Sequence, residues 1–177
     1  KLILADEPTS ALDTTVQKQV LEELLMLRDT LRTAIIIITH NIGVARHLAD
    51  RVAVLYKGEI VEMGEDERGS WKSAASLHEI AHGRRAETGI CHGKGGMMEE
   101  ILVCENLTMT FDDGEYIVHA LKNVSFSLRK NEVLGIIGES GSGKSTIAKL
   151  ITGLYQPTGG NIFFDGRSIV RLKRQAQ

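Results

Sequence analysis

The feature that most constrains the fold is the stretch VLGIIGESGSGKST, which runs from Val133 to Thr146. A continuous apolar run, Val133 to Ile137, leads into a glycine-rich loop and then into residues with helical spacing, Lys144 to Leu154. A short apolar run of this kind is typical of a strand that is buried on both faces, and such strands occur mainly in parallel sheets. The stretch therefore predicts a strand, a tight loop and a helix within an α/β protein.

The loop itself fits the pattern G-x-x-x-x-G-K-[ST], and a place between a strand and a helix is the context that this pattern requires. Backbone N–H groups of such a loop converge on phosphate oxygens at a helix N-terminus, where the helix dipole favours anions. We expect Lys144 to neutralise the outer phosphates of a nucleotide and the Ser145 hydroxyl to ligate Mg²⁺. The alternative is a glycine-rich turn before an ordinary helix. The predicted phosphate-binding residues are Gly138, Glu139, Ser140, Gly141, Ser142, Gly143, Lys144, Ser145 and Thr146.

Polar residues also follow two other apolar runs. Leu2 to Ala5 predicts a buried strand that ends at Asp6, and Ala34 to Thr39 predicts a second one that delivers His40. Carboxylates at a strand end can divide two tasks, with Asp6 holding a metal and Glu7 polarising the water that attacks a γ-phosphate. A neutral imidazole both donates and accepts, so His40 can contact the γ-phosphate and orient that water. Taken singly, the acidic pair also fits a solvated turn and the histidine a structural role.

The residues after the acidic pair predict a helix. Thr14 followed by Gln17 matches a capping box, and the apolar positions that follow have helical spacing over about four turns. We expect this apolar stripe to face the core. Its members are Val16, Val20, Leu24, Leu27 and Leu31.

Composition excludes some classes of protein. Lys+Arg 21 against Asp+Glu 23 gives a net charge of -2, so bulk charge does not indicate a nucleic-acid partner. The longest apolar run, Ala34 to Ile38, is too short to cross a bilayer. The two cysteines need no disulfide scaffold, and a reducing cytosolic setting fits them. His78 and His82 could hold a metal with Cys91 or His92, although incidental histidines in a polar linker explain them more simply.

On these residues the chain resembles the ATP-binding subunits of ABC transporters. LILADEPTSALD is similar to that family's Walker B strand, catalytic glutamate and D-loop, and GESGSGKST to its Walker A. The stretch from IIIITHN to VEMG is similar to its switch-histidine strand and the segment after it. The likeness covers about Lys1 to Gly64 and Glu100 to Gly166, and within the family it is greatest to the ATPases of dipeptide, oligopeptide and nickel importers.

The resemblance implies a P-loop NTPase core of ABC type, with a mostly parallel sheet and an antiparallel β edge. It implies ATP and Mg²⁺ as ligands, with Glu7 and His40 catalytic and with Asp6 and Ser145 on the metal. It places Phe111 where an aromatic ring stacks on adenine, with Tyr116 as a competitor and a strand-end core residue as the alternative. The implied partners are transmembrane permease subunits and a second nucleotide-binding domain, at the cytoplasmic face of the membrane, without nucleic acid.

The order of the motifs is inverted relative to a single domain of that family. The sequence holds no LSGGQ-like signature and no recognisable Q-loop, and we expect the helical subdomain to be absent. The simplest account divides the chain into the tail of one ATPase domain (1–64), a linker (65–99) and the head of a second (100–177), so that both ends look severed. We expect the tail and the head to pack as one permuted core with Asp6 near Ser145, and turnover to be poor without the signature. The alternatives are a tandem ABC ATPase outside transport and a fragment that binds nucleotide without turnover.

Overall fold

The computed structural model describes residues 1–10, 12–65 and 99–170. Their strands are β1 (Leu2–Asp6), β2 (Ala34–Thr39), β3 (Arg51–Tyr56), β4 (Glu59–Glu65), β5 (Glu100–Asp112), β6 (Ile117–Arg129), β7 (Val133–Ile137), β8 (Gly159–Phe164) and β9 (Arg167–Ser168). Their helices are α1 (Thr14–Leu31), α2 (Ile42–Leu48) and α3 (Lys144–Ile151). The predicted linker, apart from its two end residues, lies outside the described residues, and so do the metal-site candidates His78, His82, Cys91 and His92.

Strands from both parts of the chain build one five-stranded sheet in the order β1-β2-β7-β3-β4. Strand β7, which leads into the glycine-rich loop, lies between β2 and β3 and pairs in parallel with both. Strand β4 forms the antiparallel edge beside β3. The two parts of the chain thus pack into one core, as their apolar strands predict, and the α/β class with a mostly parallel sheet is confirmed.

Both faces of the central strands are covered, which explains their unbroken apolar sequences. Side chains alternate between the faces, as the period of a strand requires. One face packs against α3 and a second sheet, and the other packs against α1 and α2. Strand β1 differs from the prediction, because among the described strands it lies at the sheet edge beside β2, and its residues Leu2 to Ala5 are half-buried.

The second sheet is antiparallel and has the order β6-β5-β8-β9. Strands β5 and β6 form a long hairpin whose ladder runs from the pair Glu100 and Arg129 to the pair Asp112 and Ile117. The two strands are joined by a polar turn that follows Asp112. This sheet covers the face of the central sheet that also holds α3.

Helix α1 corrects two predictions. Its N-cap is Asp13, whose carboxylate accepts hydrogen bonds from the backbone N–H groups of Thr15 and Val16, so Thr14 and Gln17 form no capping box. Gln17 instead donates to the backbone carbonyls of Thr9 and Leu12. The helix has 18 residues, about a turn more than expected.

The predicted apolar stripe of α1 is core only in part, because Leu24 packs against the core while other members of the stripe are exposed. Leu21, which is outside the stripe, is the residue of α1 that is buried. Val16, Leu27 and Leu31 are between 38% and 48% exposed. Helical spacing identifies a face but not its partner, and the described residues cover the helix on a neighbouring face.

A buried ion pair joins the two parts of the chain. Arg51 of β3 lies 3.2 Å from Glu132, which precedes β7, and both side chains are buried. Arg51 also donates to the backbone carbonyl of Ser127, and Glu132 accepts from the backbone N–H of Arg129. Burial raises the pKa of Glu132, and its hydrogen bond and the charge of Arg51 oppose that shift. The pair is therefore satisfied by hydrogen bonds on both sides, as buried charges require.

Candidate nucleotide-binding site

The glycine-rich loop connects β7 to α3, in the arrangement that the sequence predicts. Gly143 is the N-cap of α3 and has a φ of +108°, a conformation that glycine adopts without strain. A Cβ at this position would lie 2.6 Å from the carbonyl oxygen of Ala120, so no larger residue fits. Because Gly143 is the N-cap, the first N–H groups of α3 point toward the loop. Such N–H groups at the start of a helix attract anions. The helix ends at Ile151, three residues earlier than Leu154.

Lys144 lies inside its own loop. Its side chain is buried, and its ammonium group donates to the backbone carbonyls of Gly138, at 2.8 Å, and Glu139, at 2.7 Å. Burial lowers the pKa of Lys144, while the negative charges of Glu7 and Asp6 oppose that shift. Both carboxylates of the N-terminal part therefore lie close enough to act on a lysine of the C-terminal part.

The loop also contains a hydroxyl group without a partner. Among the residues that the structure describes, the Ser142 hydroxyl is the buried side-chain polar atom that forms no hydrogen bond. Such an atom is costly unless a ligand, a water or a rearranged loop satisfies it. Ser145 is exposed and Thr146 half-buried, and both line the adjoining cleft, where they can reach a bound phosphate or metal.

Glu7 and His40 are in direct contact. The Glu7 carboxylate accepts from the backbone N–H of His40 at 3.0 Å and lies 2.8 Å from His40 Nδ1. Because an ionised carboxylate only accepts hydrogen bonds, Nδ1 carries the proton in this contact and Nε2 is left for another partner. The Thr39 hydroxyl donates to the other carboxylate oxygen at 3.4 Å. Glu7 has a φ of +49°, an uncommon conformation for a non-glycine residue that is often found at functional sites.

These groups share one cleft of about 770 Å³. Glu7 and His40 come from the N-terminal part, and the loop residues come from the C-terminal part. Lys57, Gly58 and Lys122 also line the cleft, although no pattern in the sequence marks them, because their positions depend on how the two parts pack. The residues that line it are Glu7, His40, Lys57, Gly58, Val118, His119, Ala120, Lys122, Ser140, Gly141, Gly143, Lys144, Ser145 and Thr146.

The side-chain oxygens at this site could hold Mg²⁺ only together with a phosphate-bearing ligand. No group of three or more His, Cys, Asp or Glu side chains that could hold a metal occurs within residues 1–10, 12–65 and 99–170. Mg²⁺ typically takes one or two protein oxygens and completes its shell with phosphate oxygens and waters. The Ser145 hydroxyl and the Asp6 carboxylate are oxygen donors of that kind.

The predicted adenine contact lies at the margin of this site. Phe111 does not line the cleft, but its cross-strand neighbour Val118 does. The Phe111 ring packs edge-on against Tyr155, with ring centroids 5.6 Å apart. Tyr116, the competitor, is 70% exposed and is also absent from the lining. The role of Phe111 stays a prediction.

Cys104 does not mark a second site in the described part of the chain. Cys104 is buried, and burial raises the pKa of its thiol, so it is an inert core residue. No helix in the described part of the chain is long and apolar enough to cross a membrane.

The cleft, the sheet and the sequence motifs together define a nucleotide-binding protein of the P-loop class. Residues 121–177 match the family model of the ABC transporter ATP-binding domain. These residues belong to the ABC transporter family, and the motifs of the N-terminal part of the chain are similar to those of the same family.

The most similar relatives include importer ATPases. The glutathione import ATP-binding protein GsiA of Escherichia coli O6:H1 (strain CFT073) is 34% identical over 203 residues, which cover 97% of this chain and 33% of that protein. GsiA of Shigella flexneri serotype 5b is 34% identical, and GsiA of Escherichia coli K12 is 33% identical, with the same coverage. The chain thus spans about a third of the length of the curated relatives it matches.

Solved structures of ATP-binding cassettes are also similar in part. The dimeric post-hydrolysis state of the cassette MJ0796 bound to ADP and Pi is 38% identical, with a TM-score of 0.38 over 41% of this chain and 32% of that chain. A bacterial Atm1-family ABC exporter with ATP bound is 26% identical, with a TM-score of 0.35 over 54% of this chain and 17% of that chain.

Proposed function

We propose that this chain binds ATP with Mg²⁺ in the cleft between its two parts and supports ATP hydrolysis there. The observation that carries the proposal is the meeting of a phosphate loop with a carboxylate and histidine pair from a distant part of the sequence. A phosphate loop alone supports binding. A carboxylate facing the same cleft adds the group that hydrolysis needs.

The roles follow from the contacts. Lys144 moves from its two backbone carbonyls to the outer phosphates, because a polyphosphate is a stronger partner for an ammonium group than neutral carbonyls. The backbone N–H groups at the start of α3 bind phosphate oxygens, and Ser145 and Asp6 hold Mg²⁺. The metal supplies charge neutralisation at the phosphates.

Glu7 acts as the general base for the attacking water. His40 holds that carboxylate through its backbone N–H and Nδ1, which leaves Nε2 to meet the γ-phosphate. Phe111 or Val118 then contributes an apolar surface for the base of the nucleotide, since the two are cross-strand neighbours beside the cleft.

In the cell we propose that the chain is part of an ATP-binding protein of an importer, peripheral to the cytoplasmic face of the membrane. Its partners are permease subunits and a second nucleotide-binding domain. The relatives import glutathione, a small peptide, which favours a peptide-type substrate, whereas no finding favours nickel. The match to GsiA covers 97% of this chain, so both parts of the chain resemble segments of one relative, which supports a division into a tail, a linker and a head of two successive ATPase domains.

A second candidate is nucleotide binding without turnover. The observation that favours it is the lack of a signature-like segment anywhere in the 177 residues, because the resemblance implies that this segment closes over ATP. Dimerisation by ATP with steady hydrolysis distinguishes the enzyme from this candidate.

The test compares Glu7→Gln and Lys144→Ala with wild type in the full-length protein. Glu7→Gln keeps the size of the side chain but removes the base, so we expect unchanged ATP affinity and hydrolysis lower by about 10²–10⁴-fold. Lys144→Ala should abolish ATP binding, measured by titration calorimetry. Glu22→Gln, on the exposed face of α1, is the control and should change neither. Normal hydrolysis by Glu7→Gln would overturn its assignment.

A further inference from the structure

The turn between β3 and β4 is fixed against the phosphate loop. Gly58 donates its backbone N–H to the carbonyl of Ser142 at 2.9 Å and accepts from the backbone N–H of Lys122 at 2.8 Å. Gly58 has a φ of +83°, and a Cβ there would lie 2.7 Å from the carbonyl oxygen of Ala120. The turn therefore bridges the loop and β6, and its position is set by both.

This turn places the side chain of Lys57 at the cleft. Lys57 lines the same space as Lys144 and Ser145, although it is far from both in sequence. Its ammonium group lies over the ring of Tyr56, 5.2 Å from the ring centroid. No ion pair of the described residues involves Lys57, whereas the neighbouring Lys122 lies 3.9 Å from the carboxylate of Glu59.

We propose that Lys57 is a second lysine of the site that binds the polyphosphate chain of the nucleotide. The inference rests on the proposed function. The phosphates of ATP carry several negative charges, while Lys144 supplies a single positive one and Glu7 adds negative charge to the cleft. Lys57 has an exposed side chain on a turn whose backbone is held by Gly58. A rotation of that side chain from the Tyr56 ring to a phosphate oxygen would exchange a weak cation–π contact for a charged one.

The contact is expected to be solvent-accessible and therefore sensitive to salt. Lys57 is exposed, and charges across water are screened over about 8 Å at physiological ionic strength. Its contribution should be largest in dilute buffer and small at high salt. The Lys144 contribution should persist, because that side chain is buried.

The experiment measures the affinity of the full chain for ATP, ADP and AMP at about 50 mM and about 500 mM salt, over which screening strengthens. Wild type is compared with Lys57→Ala, Lys57→Glu and Lys57→Arg. Lys18→Ala is the matched control, since Lys18 is a 72% exposed lysine on α1. Thermal unfolding of each variant confirms that the fold is intact.

We expect Lys57→Ala to weaken ATP binding about five- to tenfold at low salt and Lys57→Glu to weaken it further, as like charge repels phosphate. Lys57→Arg should restore most of the affinity, AMP should be little affected, and Lys18→Ala should match wild type. Affinities of Lys57→Ala and Lys57→Glu within twofold of a wild type that binds ATP would overturn the inference. A wild type that binds no ATP would instead overturn the proposed function, and the inference with it.

Discussion

Lys144 should make ATP affinity and the free energy of unfolding change with pH in opposite directions. Burial lowers its pKa, so it loses its charge at a lower pH than an ordinary lysine, whose pKa is about 10.4. Because only the charged form attracts phosphate, ATP affinity should fall as the pH rises through that lowered pKa. Because the unfolded chain holds the proton more tightly, the same group makes the free energy of unfolding rise with pH over that interval.

The measurement is the Kd for ATP from pH 7.5 to about 10.5, the range in which lysines lose charge. Lys144→Arg is the matched variant, since arginine stays charged throughout and its affinity, though lower, should decline less over this range than that of wild type. A wild-type Kd that is constant over the whole range would contradict the prediction.

At the scale of elements, α1 offers a comparison between two leucines. Leu21 is 6% exposed and packs in the core, whereas Leu27, on the predicted apolar stripe, is 39% exposed. Leu21→Ala should lower the free energy of unfolding by about 2–4 kcal/mol, because it leaves a cavity. Leu27→Ala should change it by about 0.5 kcal/mol. Urea unfolding of both variants checks this, and equal losses would show that Leu27 is buried after all.

The ion pair between β3 and the residue before β7 gives a second comparison. Arg51→Ala or Glu132→Ala alone should destabilise the protein by about 3–5 kcal/mol, because each leaves a buried charge without its partner. The double variant Arg51→Met with Glu132→Leu removes both charges and should lose much less. Urea unfolding measures all three variants, and additive losses in the double variant would argue against a coupled pair.

Considered as a whole molecule, the protein is held together by contacts between its two parts. Strand β7 fills the centre of a sheet whose other strands come from the N-terminal part, so separation would expose both faces of the sheet. A protease site introduced within 66–98 and then cut should therefore leave two pieces that co-elute in native size-exclusion chromatography and separate in urea. The uncut protein is the control, and separation in native buffer would show that the covalent link is needed.

Much of the molecule is predictable because it depends on local pattern. Apolar runs predicted β2 and β7, and the glycine spacing predicted the loop and the start of α3. A strand, a tight turn and a helix each impose their own period on the residues that build them. The same patterns placed Glu7 and His40 at strand ends. They did not identify Asp13 as the N-cap of α1, because two overlapping cap patterns compete there.

The sequence by itself therefore determined the α/β class, the phosphate loop and which polar residues stand at the ends of strands. Only the tertiary structure decided that β7 lies between β2 and β3, that β1 lies at an edge and that much of the apolar stripe of α1 is exposed. It also decided that Lys57 and Gly58 border the same cleft as Lys144. The physical reason is that the spacing of apolar residues in a segment indicates which of its faces must be buried, while the neighbour that buries this face comes from a distant part of the chain.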